Sequence, residues 1–165
     1  MRALSLWQPW ATLMALGVKH IETRSWPLLI GYRGPLAIHA TAKWERSVVD
    51  WLEGRSGGQG AAAAVLYNLQ AENCHDWRTL PLGCVVCVVD VLGVRRTEDL
   101  LAIISPEELA FGDYRPGRYG IVTRDPRPFD PPIPARGARG IWHWDGFDAT
   151  RFDGTRREAT RREEI

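Results

Sequence analysis

The chain has 165 residues and a mass of 18.6 kDa, enough for one domain and for burying roughly 70% of the surface that the unfolded form exposes. With 45% hydrophobic and 25% charged residues it has the composition of a soluble globular protein. A net charge of +1 excludes a whole-molecule attraction to nucleic acid or membranes, so any such binding needs a local patch. Three cysteines do not make a disulfide framework and suit a reducing cytosol. The first twenty residues are too short and too interrupted for a signal peptide or a membrane span. Eight Trp beside 16 Gly and 11 Pro point to a turn-rich fold with aromatic surfaces.

Residues 2–7 alternate loosely and read as a first strand. Pro9 suits the first turn of a helix, Trp10, Leu13, Met14 and Leu16 form an apolar stripe at helical spacing, and Gly17 is a natural stop. A short helix over 9–16 follows, then a turn running into an extended segment to Trp26. Residues 34–40 read as a strand and 44–52 as a helix. A Gly-rich loop at 54–60, without the Gly-Lys-Ser/Thr of a phosphate-binding loop, leads into a helix over about 61–69. The β-branched run 83–94 predicts a central strand. Helical starts are expected at Asp99–Leu100 and at Pro106. The last strands fall at 119–123 and 140–144, separated by the sequence DPRPFDPPIP, which reads as an extended connector. No internal repeat divides the chain. Residues 151–165 carry five Arg and almost no apolar content after Phe152, the composition of a solvated, mobile tail on a domain spanning 1–150. Short strands with helices between them predict an α+β fold, a small β-barrel of five or six mostly antiparallel strands with helices packed around it.

Four groups of residues carry chemistry. Cys84-Val-Val-Cys87 has a zinc-like spacing, but on a regular strand these positions face opposite ways, so buried free thiols are the expectation and no metal site is assigned. Asp90 interrupts an apolar strand, where a carboxylate needs either a salt bridge to an Arg at the barrel edge or a cleft in which to act. Lys19, Glu22 and Arg24 form a compact charged cluster flanked by Trp7, Trp10 and Trp26: either a solvated turn or a dry pocket with an acid/base or anion-anchoring lysine. Residues 111–140 hold six Arg against three Asp, among them Arg115 and Arg118, with Phe111, Tyr114, Tyr119 and Phe129 interleaved. Arg for phosphates and rings for bases is the chemistry of single-stranded nucleic-acid binding, and Arg covering barrel edges is the alternative. His39 on its strand reads as a core histidine or as a cleft residue.

The segments Leu4–Ala11, Gly17–Arg24, Gly34–Ala40, Gly83–Val91, Phe111–Gly120 and Gly137–Trp144, in that order, resemble the ASCH domain family of the PUA-like superfamily. The resemblance implies a pseudo-barrel with a cleft beside the first helix and a role in RNA binding or RNA-linked metabolism. Relatives include amidohydrolases of N4-acetylcytidine and small ribonucleases. Against the amidohydrolase pattern Lys19 and Arg24 match, and Asp90 falls where a strand carboxylate is expected. Glu22 stands where the pattern has a nucleophilic Thr, and Thr23 lies one residue further.

The leading expectation is a cytoplasmic RNA- or nucleotide-binding domain. Lys19, Glu22 and Asp90 would be its catalytic candidates, and Trp7, Trp10, Arg24, Trp26, His39, Tyr114, Arg115 and Arg118 its RNA-binding residues. No cofactor is expected, except a divalent metal on Asp90 and Glu22 if the domain is a ribonuclease. The alternatives are an amidohydrolase of an acylated nucleoside and a non-catalytic protein-interaction module. No membrane partner is expected, and the oligomeric state stays open.

Overall fold

A computed structural model describes residues 1–146 of the chain; the charged tail expected at 151–165 lies outside the described residues. Six strands, β1 (Arg2–Leu6), β2 (Ile21–Arg24), β3 (Gly34–Ala40), β4 (Cys84–Arg96), β5 (Tyr119–Pro134) and β6 (Ile141–His143), form one sheet in the order β2-β5-β4-β3-β1-β6. β1 and β3 run parallel and every other pairing is antiparallel. The fold is α+β, with the sheet curled into a half-barrel that has β2 and β6 as its edges. Five helices accompany it: α1 (Trp10–Ala15), α2 (Arg46–Leu52), α3 (Gln59–Ala71), α4 (Thr97–Leu100) and α5 (Pro106–Ala110). Among the described residues no helix is long and apolar enough to cross a membrane.

The first helix starts where Gln8, fully buried, accepts a hydrogen bond from the Thr12 amide and donates one to the Pro81 carbonyl. It stops at Gly17, whose φ of +73° lets the amides of Val18 and Lys19 turn back to the Leu13 carbonyl. Its apolar face divides between two layers. Ala11 and Met14 pack on Leu4, Leu6, Leu36 and Ile38 of the sheet. Leu13 joins Val48, Leu52, Val65, Leu69, Trp77 and Phe111 in a second cluster built largely from helices.

Two expectations change. The segment DPRPFDPPIP is strand: it forms most of the 16-residue β5 and pairs with β4 as far as Cys84↔Pro134. Five prolines are tolerated because β2 covers only Tyr119–Val122, so the proline half of β5 has a partner on one side alone. β4 is also irregular, because its register against β3 slips so that Val86 is an extra residue. Alternation therefore reverses, and Cys84, Val86, Cys87, Val89 and Val91 all enter one core cluster. The two thiols do not diverge as a regular strand requires; both are buried and free. Among the described residues no three His, Cys, Asp or Glu side chains gather as a metal would need.

Helix α5 fixes the position of β2. Ser105 caps it by accepting from the Glu108 amide, with Pro106 in the first turn. The buried Glu108 carboxylate then accepts from the His20 and Ile21 amides, at 2.8 and 3.1 Å, and from the Tyr114 hydroxyl at 3.2 Å. Glu108→Ala strands these donors, and we expect a loss of at least about 2 kcal/mol in unfolding free energy, read by denaturant titration. An unchanged midpoint would show that water replaces the carboxylate.

Candidate nucleic-acid interface

A cleft with a cavity volume of about 1150 Å³ opens beyond the C-terminal ends of the parallel pair β1 and β3. Helices α1 and α2 supply one wall through Trp10 and Trp51, whose rings are tilted with centroids 5.5 Å apart. Glu22, Thr23, Arg24 and Trp26 come from β2 and its exit, Phe111 and Asp113 from the exit of α5, and Arg118 from the approach to β5. The loop 135–140, between β5 and β6, closes the remaining side, and Trp7 stands at the end of β1.

Lys19 is 2% exposed and does not reach the cleft surface. Its ammonium donates to the carbonyls of Ile21 and Phe111, the latter at 2.8 Å, and lies 3.6 Å from Glu22 Oε2. It also sits 5.8 Å from the centre of the Trp10 ring. The lysine thus joins β2 to the exit of α5 and steadies the back of Glu22. The other Glu22 oxygen, Oε1, lies 3.1 Å from Arg24 Nε without hydrogen-bond alignment, and Arg24 Nη2 donates to the Ser5 carbonyl at 3.3 Å. Glu22 and Arg24 therefore present an acceptor and a donor side by side on the cleft wall.

His39 lies on the cleft floor in a closed chain of hydrogen bonds. Trp142 Nε1 donates to Ser5 Oγ, the Ser5 hydroxyl donates to His39 Nδ1, and His39 Nε2 donates to the Ala135 carbonyl, each at 3.1 Å. The Ala135 carbonyl requires a proton on Nε2, and in the neutral ring Nδ1 then accepts from Ser5; burial favours that neutral form by lowering the pKa of His39, opposed by the Ala135 bond. Gly137 is pressed against the same ring: a Cβ there would lie 2.4 Å from His39 Cε1 and 2.7 Å from Ser5 Oγ. The site's dependence on Ser5, Gly137 and Trp142 has no signal in the sequence, since it arises from a loop crossing two strand ends.

Besides Lys19, three expected site residues do not line the cleft. Asp90 does not line the cleft; Arg127 grips it bidentately at 2.9 and 3.0 Å, and this hydrogen bonding holds its carboxyl below the usual range. Asp90 and Glu22 therefore do not converge on a metal. Tyr114 is buried with Ile21 and Leu100, where desolvation pushes its hydroxyl pKa far up. Arg115 is exposed and serves the cleft only through Asp113, whose carboxyl its side-chain hydrogen bond helps to hold at about 2. Arg118 does line the cleft, donating to the Asp113 carbonyl at 3.0 Å and lying 3.4 Å from its carboxylate. Trp51, Thr23 and Asp113 line it too, without having been singled out by spacing.

These contacts make Lys19 a residue of folding as well as of the site. Lys19→Ala removes the partner of a carboxylate and two carbonyls, and we expect about 3 kcal/mol of lost stability by denaturant titration. A variant as stable as the parent would refute that role. For His39, an unfolded chain takes up a proton near pH 6.5 whereas the folded chain resists it. Its contribution is whole above about pH 6.5 and is lost as the pH falls below that value toward the lowered folded pKa. Thermal melting between about pH 7 and 5 should show a loss of stability that is smaller in His39→Gln; parallel curves would exclude the histidine.

An ASCH domain family model matches residues 4–133. The chain is 30% identical over 146 residues to activating signal cointegrator 1 of Homo sapiens and 29% identical over 146 residues to the Mus musculus protein. In both cases the match covers 86% of this chain and 22% of the relative, so the chain spans about a fifth of the length of the curated relatives it matches. Among solved structures it is similar to two ZmASCH proteins from Zymomonas mobilis. A tyrosine-to-phenylalanine mutant has a TM-score of 0.43 and 16% identity over 81% of this chain and 74% of that one. A serine-to-alanine mutant has a TM-score of 0.45 and 15% identity over 87% and 88%. On the family match, the chain belongs to the ASCH domain family.

Proposed function

We propose that the cleft binds single-stranded RNA, holding a base against its indole rings. The observation that carries this reading is the pair of large rings left open to solvent at the cleft, Trp7 at 49% and Trp26 at 54% exposure. A folded domain gains little by exposing two tryptophans, whereas a π-face that stays open is what stacking on an unpaired base requires. Beside them, the Glu22 carboxylate can accept from an exocyclic amine or ring N–H, and the Arg24 guanidinium can donate to a base carbonyl or ring nitrogen. Four arginines line the cleft against two carboxylates, so its net charge suits a polyanion even though the chain as a whole is almost neutral.

Recognition has more support here than hydrolysis. Lys19 is enclosed by carbonyls and Glu22, both nitrogens of His39 are bonded, and Asp90 belongs to an ion pair outside the cleft. Thr23, the hydroxyl nearest in sequence to a nucleophile position, accepts a hydrogen bond from the Asp113 amide at 2.9 Å. Lys19, His39 and Thr23 thus support the cleft walls through bonds they already make.

Trp7→Ala and Trp26→Ala should each weaken binding of a single-stranded RNA by about 1–3 kcal/mol, measured by fluorescence titration, with little change in melting temperature. Asp90→Asn should leave the affinity unchanged. Full affinity in the Trp7/Trp26 double variant would remove the cleft from consideration.

A further inference from the structure

The loop that closes the cleft has the sequence Ala135-Arg136-Gly137-Ala138-Arg139-Gly140, one triplet written twice. All six residues line the cleft, and both arginines are exposed. The four cleft arginines fall into two classes. Arg24 lies against Glu22 and Arg118 against Asp113, so their charges are met from within. Arg136 and Arg139 have no ion-pair or hydrogen-bond partner among the described residues. The uncompensated positive charge of the cleft is therefore concentrated in this one loop.

The loop is also held in place. The Ala135 amide donates to the Gly83 carbonyl at 3.0 Å, and the Ala135 carbonyl accepts from His39. Gly137 packs directly on His39 and Ser5, Gly140 turns the chain with a φ of +67°, and Ile141 then pairs with Leu4. Two guanidiniums three residues apart thus project from a backbone tied at both ends and in the middle. The loop therefore gives up little conformational freedom on binding. Two exposed guanidiniums three residues apart on a held loop offer two positive points along the path of a strand.

Building on the RNA-binding reading, we infer that Arg136 and Arg139 grip successive phosphates of one strand, so that the ligand is an oligonucleotide and not a free nucleoside or mononucleotide. The rings supply stacking, which any nucleoside can satisfy, and the loop supplies the contact that only a polymer satisfies twice. Each phosphate neutralised on a single strand adds about 0.7 to the steepness of log affinity against log salt.

The experiment is a titration of the full chain with a single-stranded RNA of about eight nucleotides, between about 50 and 200 mM KCl, alongside cytidine as the phosphate-free probe. Arg136→Ala/Arg139→Ala should flatten the salt dependence for the RNA by about 1.4 and leave cytidine quenching unchanged. Arg136→Lys/Arg139→Lys should keep most of the slope. Both arginines are exposed and have no partner among the described residues, so circular dichroism should show no loss of fold. An unchanged RNA slope in the alanine pair overturns the inference; if Trp7→Ala still weakens the RNA, the cleft reading survives it. RNA that fails to bind the parent chain overturns both.

Discussion

A buried ammonium sets the terms for the rest of this structure. Lys19 is nearly inaccessible to water, and a cation in that position must be surrounded by oxygen acceptors or the fold forfeits several kcal/mol. Its acceptors come from two places far apart in sequence, the carbonyl of Ile21 at the start of β2 and the carbonyl of Phe111 at the exit of α5. Bringing them together fixes the short edge strand against the helical layer, and the Glu108 carboxylate secures the same junction from the other side through the His20 and Ile21 amides. With β2 so placed, alternation along a strand turns Glu22 and Arg24 to the same face, and that face is the cleft wall.

The cleft divides its polar groups into those already engaged and those left open. Glu22, Arg24, Asp113, Arg118 and His39 have partners within the protein and give the walls their form. Trp7 and Trp26 present open rings, and Arg136 and Arg139 present charge without a partner among the described residues. A ligand that is flat, apolar on its faces and anionic along one side matches the open set. A single-stranded nucleic acid is such a ligand.

Much of the fold was legible in the sequence because it rests on local rules. The stop at Gly17, the β-branched run of β4 and the start of α5 at Pro106 each follow from backbone chemistry within a few residues. The misread elements depend on neighbours that a sequence does not display. Five prolines argue against a strand until it is known that β2 stops short and leaves that half of β5 with one partner. Cys84 and Cys87 belong on opposite faces until one extra residue reverses the pleat. At the site, the cluster of Lys19, Glu22 and Arg24 was visible from its spacing and a dry pocket was one of its two readings, whereas the Phe111 carbonyl that takes up the ammonium, 92 residues away, was not. Asp90 stood out because a carboxylate in an apolar run demands an explanation, and Arg127, on the neighbouring β5, supplies the salt bridge that was one of the two explanations open. His39, Ser5 and Trp142 come from three strands, and no local pattern could unite them.

The extra residue in β4 has a consequence for how the strand tolerates a change of length. Removing Val86 would leave Cys84 and Cys87 in the core and Val85, Val88 and Asp90 on the opposite face, because regular alternation through the shortened strand gives the same assignment. A length change at this point is therefore silent in the hydrophobic pattern, unlike one in a regular stretch of strand, which would turn one half of it inside out. What it alters is twist, since a bulge sharpens the local coiling of the strand that carries it. The curvature of the sheet, and with it the opening between β3 and the loop that crosses it, therefore depends on strand length at this point while the core composition does not.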